Sequence, residues 1–242
     1  MPDQTAIVPK FPPTRWSVVL AAAGSGVESR AALEELCRLY WFPLYAFARQ
    51  RGWCAEDAED ETQEFLTRVA AGELLASVAA GRGRLRTYLL AAFQRDLIDT
   101  QRRQSRQKRG GGIHFIPINS IEAEQRLAGM TLANDPAADY DRAFALTCLD
   151  AAATRLADEY AERGRAALFQ TLRPSLDPSA GVDHSAAAAT HGLDANALRQ
   201  AVFRLRQRFR ILLRQIIADT LQQPSEAHID EELAALRAAL NA

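Results

Sequence analysis

The sequence predicts an all-α fold made of two helical domains. Ala, Leu, Arg, Glu and Gln dominate, and all are good helix formers. Apolar residues recur mostly at spacings of three and four, with little of the alternation that marks strands. A Gly110-Gly111-Gly112 run followed by a polar stretch divides the chain into two parts that each carry several such segments.

The elements follow in order. After a proline-rich start (Pro9, Pro12, Pro13), helices are predicted at 14–23 and 29–41. Pro43 suits a first helical turn, where its missing N–H costs nothing, so a further helix is expected from there to a stop at Gly52. Helices at 56–71 and 84–107 complete a first domain, residues 14–109. Residues 110–138 read as a linker whose apolar patch, 113–118, packs locally. In the second domain, residues 139–221, Asp139 is placed to cap a helix with Phe144, Cys148, Ala152, Leu156 and Tyr160 on one face. A helix at 164–173 ends at Pro174, and residues 222–242 form a tail with an amphipathic helix at 229–240.

Residues 183–220 read as a helix-turn-helix. Small residues at 186–189 suit a short helix crossed closely by a partner, Gly192 can take the left-handed cap, and Asp194 can cap the next helix. Leu193 and Leu198 stand where a hydrophobic staple sets the entry angle. On the second helix Leu198, Val202, Leu205, Phe209, Leu212 and Ile216 form one apolar stripe. The other face presents Asn196, Arg199, Gln200, Phe203, Arg204 and Gln207. Arg pairs bidentately with guanine, Asn and Gln with adenine, and an aromatic ring can touch a thymine methyl, so these are residue types for reading a major groove. The helix carries six arginines (199, 204, 206, 208, 210, 214) and no acid before Asp219. A solvated Arg-rich helix in a bundle is the alternative, but it gives no reason for the capped turn.

Charge is segregated elsewhere too. Residues 82–109 hold nine basic residues against Asp96 and Asp99, whereas residues 55–64 hold six acids and no base. With a net charge of only −1, any affinity for nucleic acid must come from such local patches, and opposite patches suggest two classes of partner. Cys37, Cys54 and Cys148 are widely spaced with no His nearby, which indicates neither a disulfide framework nor a zinc site. No signal-like segment and no long apolar run is present, so a cytoplasmic protein without a membrane partner is expected.

Ordered along the chain are TRWSVVL (14–20), YWFPLYAFARQRG (40–52), AEDAEDETQEFL (55–66), GRGRLRTYLLAAFQRDLID (81–99), QKRGGG (107–112), LADEYAERGRAALFQTLRP (156–174) and ALRQAVFRLRQRFRILLRQIIADT (197–220). This set resembles RNA polymerase sigma factors of the extracytoplasmic-function type, and more closely a subgroup from planctomycete-like bacteria. The resemblance implies a domain 2 that opens the minus-10 promoter element and a domain 4 that reads the minus-35 element, joined by a linker. It implies core RNA polymerase and promoter DNA as partners, leaves an anti-sigma factor or other regulator open, and calls for no cofactor and no catalysis.

Family knowledge gives each patch a role. The acidic helix, with Asp57, Asp60, Glu61, Gln63 and Glu64, matches the segment that docks on the polymerase clamp helices. A solvated acidic face, or a carboxylate cluster holding a divalent metal, are the other readings, although acids on one straight helix rarely form a closed oxygen cage. Arg82, Arg84, Arg86, Tyr88, Arg95, Arg102 and Arg103 match the region that contacts the non-template strand during melting; Tyr88 is either a stacking ring or a core ring. The loop 76–84 matches the segment that captures a flipped base. Free-standing helix-turn-helix regulator, helical adaptor and metal-dependent nuclease remain the competing functions. The tail's narrow stripe (Ile229, Leu233, Leu236, Leu240) is too small for a core of its own, and it is expected to dock on the helix-turn-helix domain, either on its back or over its basic helix.

Overall fold

The computed structural model describes residues 27–71, 84–104, 120–133, 135–177, 191–221 and 224–241. The predicted helix at 14–23, Arg82 with residues 76–83, the patch 113–118 and the small-residue helix at 186–189 lie outside the described residues. Those described form helices α1 (Val27–Gln50), α2 (Ala55–Ala70), α3 (Leu85–Gln104), α4 (Ser120–Ala128), α5 (Pro136–Glu162) and α6 (Ala166–Leu172). A 3-10 turn (Arg173–Leu176) follows, then α7 (Ala195–Asp219) and α8 (Glu226–Asn241), and no strand occurs among the described residues. The chain divides into two compact units, one of residues 1–147 and 218–242 and one of residues 148–217.

In the first unit, α1, α2 and α3 pack together around aromatic rings. Phe93 of α3 lies 5.1 Å from Phe65 of α2 and 6.4 Å from Phe47 of α1, all three fully buried. The two helices expected on either side of Pro43 are a single helix, α1, with Pro43 inside it. An interior proline costs roughly 3 kcal/mol through a lost hydrogen bond and a ring clash. Every residue at 39–48 is buried, and each large apolar side chain contributes about 1.5–3 kcal/mol, so packing outweighs the break. α1 ends where expected. Gly52 takes φ +91°, a conformation that side chains rarely adopt, and the following Trp53 N–H returns to the Ala48 carbonyl at 3.2 Å.

The linker region is partly helical. α4 is tied to α1 by Glu124, which accepts from Arg49 Nε at 2.7 Å and Nη2 at 2.9 Å and from the Tyr45 hydroxyl. Arg49, with help from Tyr45, holds the Glu124 carboxyl down at about 2 against partial burial. Arg126 of α4 sits over the Phe42 ring at 4.2 Å and donates to Thr147 at 3.0 Å. α5 starts earlier than predicted because Asp135 caps it, accepting from the Ala137 N–H at 3.0 Å. Asp139 is then not a cap but a buried residue within the helix, accepting from the Ala133 N–H at 2.9 Å.

The tail departs furthest from expectation. α8 belongs to the first unit, and its buried residues are Ile229, Glu232 and Leu236. A glutamate takes the place of Leu233 on the buried side because Arg84 and Arg86 both pair with it.

In the second unit, Leu156, Phe169 and Leu172 are buried, with the Tyr160 and Phe169 rings 5.6 Å apart. On α7, Leu198, Val202, Leu205, Leu212 and Ile216 are buried as the periodicity predicts, joined by Ile217, whereas Phe209 of the predicted stripe is only half-buried.

Candidate nucleic-acid interface and acidic docking face

The turn before α7 is built as its sequence demands. Gly192 adopts φ +62°, and the Asp194 carboxylate accepts from the Asn196 N–H at 2.8 Å and the Ala197 N–H at 2.6 Å. These bonds satisfy donors that the first turn leaves without helical partners and so fix where α7 begins. Asn196, Arg199, Gln200, Phe203, Arg204 and Gln207 are all exposed, Phe203 at 65% despite being a large apolar ring. The sequence-predicted set is thus one continuous exposed arc.

Two of the helix's arginines have other duties. At 100° per residue, Arg206 and Arg208 stand about 80° to either side of the buried stripe. Arg208 forms a bidentate pair with Glu159 of α5 at 2.9 and 2.5 Å, and Arg206 Nε donates to the Ser175 carbonyl of the 3-10 turn at 2.8 Å. Arg208 also holds the Glu159 carboxyl below its ordinary range. Acting on both flanks, these contacts fix the roll of α7 about its axis and therefore the direction of the arc. Sequence reading missed Glu159, since its pairing spans 49 residues.

On α3 the arginines also separate by angle. Arg84, Tyr88, Arg95 and Arg102 follow one another at helical spacing along a single flank, with Ile98 beside them at 39% exposed. Arg95 and Arg102 are exposed, Tyr88 is half-exposed, and Arg103 lies near the helix end with Nη2 on Thr100 at 3.1 Å. Arg86 departs from the expectation. It is 5% exposed, it donates to Glu232 and Asp141, and burial among carboxylates leaves it no surface for DNA. The signal was present: Arg86 stands three residues before Leu89, in line with buried Phe93 and Leu97. Asp96 is half-buried on the same inner side and pairs with Arg68 of α2.

α2 presents its acids outward. Cys54 precedes it, its Sγ accepting from the Asp57 N–H at 3.4 Å, and the early acids suit the positive end of the helix dipole. Ala58, Thr62, Phe65, Leu66 and Val69 are buried, whereas Glu56, Asp57, Asp60 and Glu64 are exposed. Glu61 turns toward α3 and accepts from the Thr100 hydroxyl at 3.1 Å, and burial raises its carboxyl above its ordinary range. Gln63 is half-buried and donates to Glu59 at 3.2 Å. Among the predicted docking residues, then, Asp57, Asp60 and Glu64 form the open face.

The model of the ECF sigma factor family matches residues 28–172, more than half of the chain. The chain belongs to the ECF sigma factor family. The matched residues of this sigma factor take in α2 with its acidic face and α3 with its arginine flank, and they end with α6, before the arc of α7. Comparison with curated proteins and with solved structures finds no match. No helix among the described residues is long and apolar enough to cross a membrane.

Proposed function

We propose that this sigma factor binds core RNA polymerase and directs promoter-specific initiation, without catalysing a covalent step itself. The observation that carries the reading is that one helix exposes acids and two others expose arginines within a chain of this family. The acidic face of α2, with Asp57, Asp60 and Glu64, is the docking surface for polymerase; Glu61 and Gln63 stand at its edge. The flank Arg84, Tyr88, Arg95 and Arg102, with Arg103 at its end, follows the non-template strand of the minus-10 element. Arginines neutralise phosphates there, and an aromatic ring stacks on an exposed base. Arg82 enters the same proposal from its position in the sequence. The arc of α7 reads the minus-35 element in the major groove, Arg199 pairing with a guanine and Asn196 or Gln200 with an adenine. Residues 14–109 and 139–221 accordingly serve as domains 2 and 4, with 110–138 between them, in the cytoplasm where the polymerase works.

Charge reversal on α2 tests the docking surface. Asp57→Lys with Asp60→Lys changes two exposed residues and leaves the buried Phe65 and Val69 untouched. Reversing charge at a complementary patch costs several kcal/mol, so capture of core polymerase falls by more than about a hundredfold while circular dichroism stays unchanged. Full capture by the folded double variant contradicts this docking face. Duplex promoter binding by the chain alone, as tight as with polymerase added, favours a free-standing regulator instead.

A further inference from the structure

The C-terminal helix brings a buried acid to the start of α3. Glu232 is 1% exposed, and its carboxylate is shared: Oε2 pairs with Arg84 Nε at 2.8 Å while Oε1 pairs with Arg86 Nε. Arg86 is held in turn by Asp141 through Nη1, and its backbone carbonyl accepts from the buried Tyr140 hydroxyl at 3.1 Å. The next residue, Arg142, closes the far end of α8, donating to the carbonyls of Ala239 at 3.1 Å and Leu240 at 2.9 Å. Those carbonyls lie in the last turn, where a helix has no partner of its own for them. Three consecutive residues of α5 thus serve both ends of the contact between α8 and the start of α3.

We propose that α8 is the closing element of the unit built on α1, α2 and α3, and that Glu232 is a positioning residue for Arg84 at the root of the Arg84–Tyr88–Arg95–Arg102 flank. The second half of this rests on reading that flank as the minus-10 contact. Arg84 immediately precedes α3 and keeps 40% of its side chain exposed while Glu232 holds its Nε. The carboxylate fixes the arginine's base and leaves its outer part to meet a phosphate. Without Glu232, Arg84 loses this carboxylate and the buried guanidinium of Arg86 keeps Asp141 but loses its buried partner. The first turn of α3 then opens and Arg84 loses its direction. The C-terminal tail therefore acts on promoter opening and not on minus-35 reading.

The test uses the full chain with Glu232→Ala, Glu232→Gln and Arg84→Ala. In hydrogen exchange read by mass spectrometry, Glu232→Ala speeds exchange in peptides covering 85–93 and 136–142 by at least about tenfold and leaves 195–217 unchanged. Glu232→Gln, which keeps the side-chain shape, does so less. In holoenzyme, Glu232→Ala and Arg84→Ala each lower open-complex formation on a duplex promoter by about tenfold, the loss of one hydrogen bond to a charged group. Their double variant is no worse than either, and binding to a minus-35 duplex stays within twofold. Arg84→Ala leaves exchange unaltered, which separates positioning from plain structural support. Faster exchange at 195–217, unchanged exchange at 85–93, or full opening by Arg84→Ala overturns the proposal. If both Glu232 variants lose protection everywhere, the assignment of α8 to one unit falls as well. Wild-type holoenzyme that opens no promoter defeats the sigma reading and the positioning role with it, and exchange alone then decides the place of α8.

Discussion

α3 and α7 are both arginine-rich helices, yet they dispose of their arginines differently. On α7 Arg206 and Arg208 lie on the flanks of the buried stripe and reach neighbours within their own unit. The arc opposite the stripe stays exposed in full. On α3 Arg86 lies within the stripe itself and is covered by a helix that arrives from the far end of the chain. Angular distance from the apolar stripe, and not the number of charges, separates an arginine that holds the fold from one that can meet a nucleic acid. A charge run in a sequence counts both kinds together.

Arg86 and Arg95, which the sequence alone treats alike, are expected to differ most. Arg86→Ala removes the buried one of the two arginines that hold Glu232, and breaking a buried pair costs about 3–5 kcal/mol, so denaturant unfolding of the first unit shifts strongly. Arg95→Ala, at an exposed position, changes stability by less than about 0.5 kcal/mol and instead weakens binding to a minus-10 single strand. Equal stability losses for the two would erase the distinction.

A smaller effect sharpens it within α7. Arg199→Ala removes about 1–3 kcal/mol of discrimination at one base pair of the minus-35 element, whereas Arg210→Ala weakens all sequences alike. Holoenzyme binding measured across single-base promoter variants reads this directly. An unchanged preference profile for Arg199→Ala rules out base reading at that position.

What the sequence made legible follows from how local each cause is. The cap at Asp194, the turns at Gly52 and Gly192 and the stripe of α7 depend on residues within a few positions, and apart from the half-buried Phe209 they are where the periodicity and turn chemistry place them. The same holds for the inward Ala58, Phe65 and Val69 of α2. What stayed hidden depends on partners far along the chain. The unbroken α1 through Pro43 needs burial by other helices, and Glu124 meets Arg49 across 75 residues. Glu232 meets Arg86 across 146 residues, and nothing near it in the sequence marks an acid as buried. Arg86 lies between these cases: its place in line with Leu89, Phe93 and Leu97 was readable, but its charge obscured it.

The smallest effect concerns the edge of the acidic face. Burial raises the Glu61 carboxyl above its ordinary value of 4.5, so its charged form is held at a cost in the folded protein near neutral pH. That cost disappears as pH falls through the raised value, where the folded protein takes up the proton. Glu61→Gln therefore raises the melting temperature at pH 7, with a gain that shrinks as pH falls toward 4.5. It also leaves polymerase capture nearly intact, because Glu61 faces Thr100 while Asp57, Asp60 and Glu64 face outward. A pH-independent difference in melting temperature, or a large loss of capture, contradicts this placement.

The role proposed for this chain is to confer promoter choice on an RNA polymerase. Run-off transcription with core polymerase from the source organism tests it most directly, on a library of promoter fragments, with and without the chain. Transcripts of defined length are expected that require both components and that shift their minus-35 preference with Arg199→Ala. Transcription that is the same with and without the chain, or that the chain only represses, would contradict it.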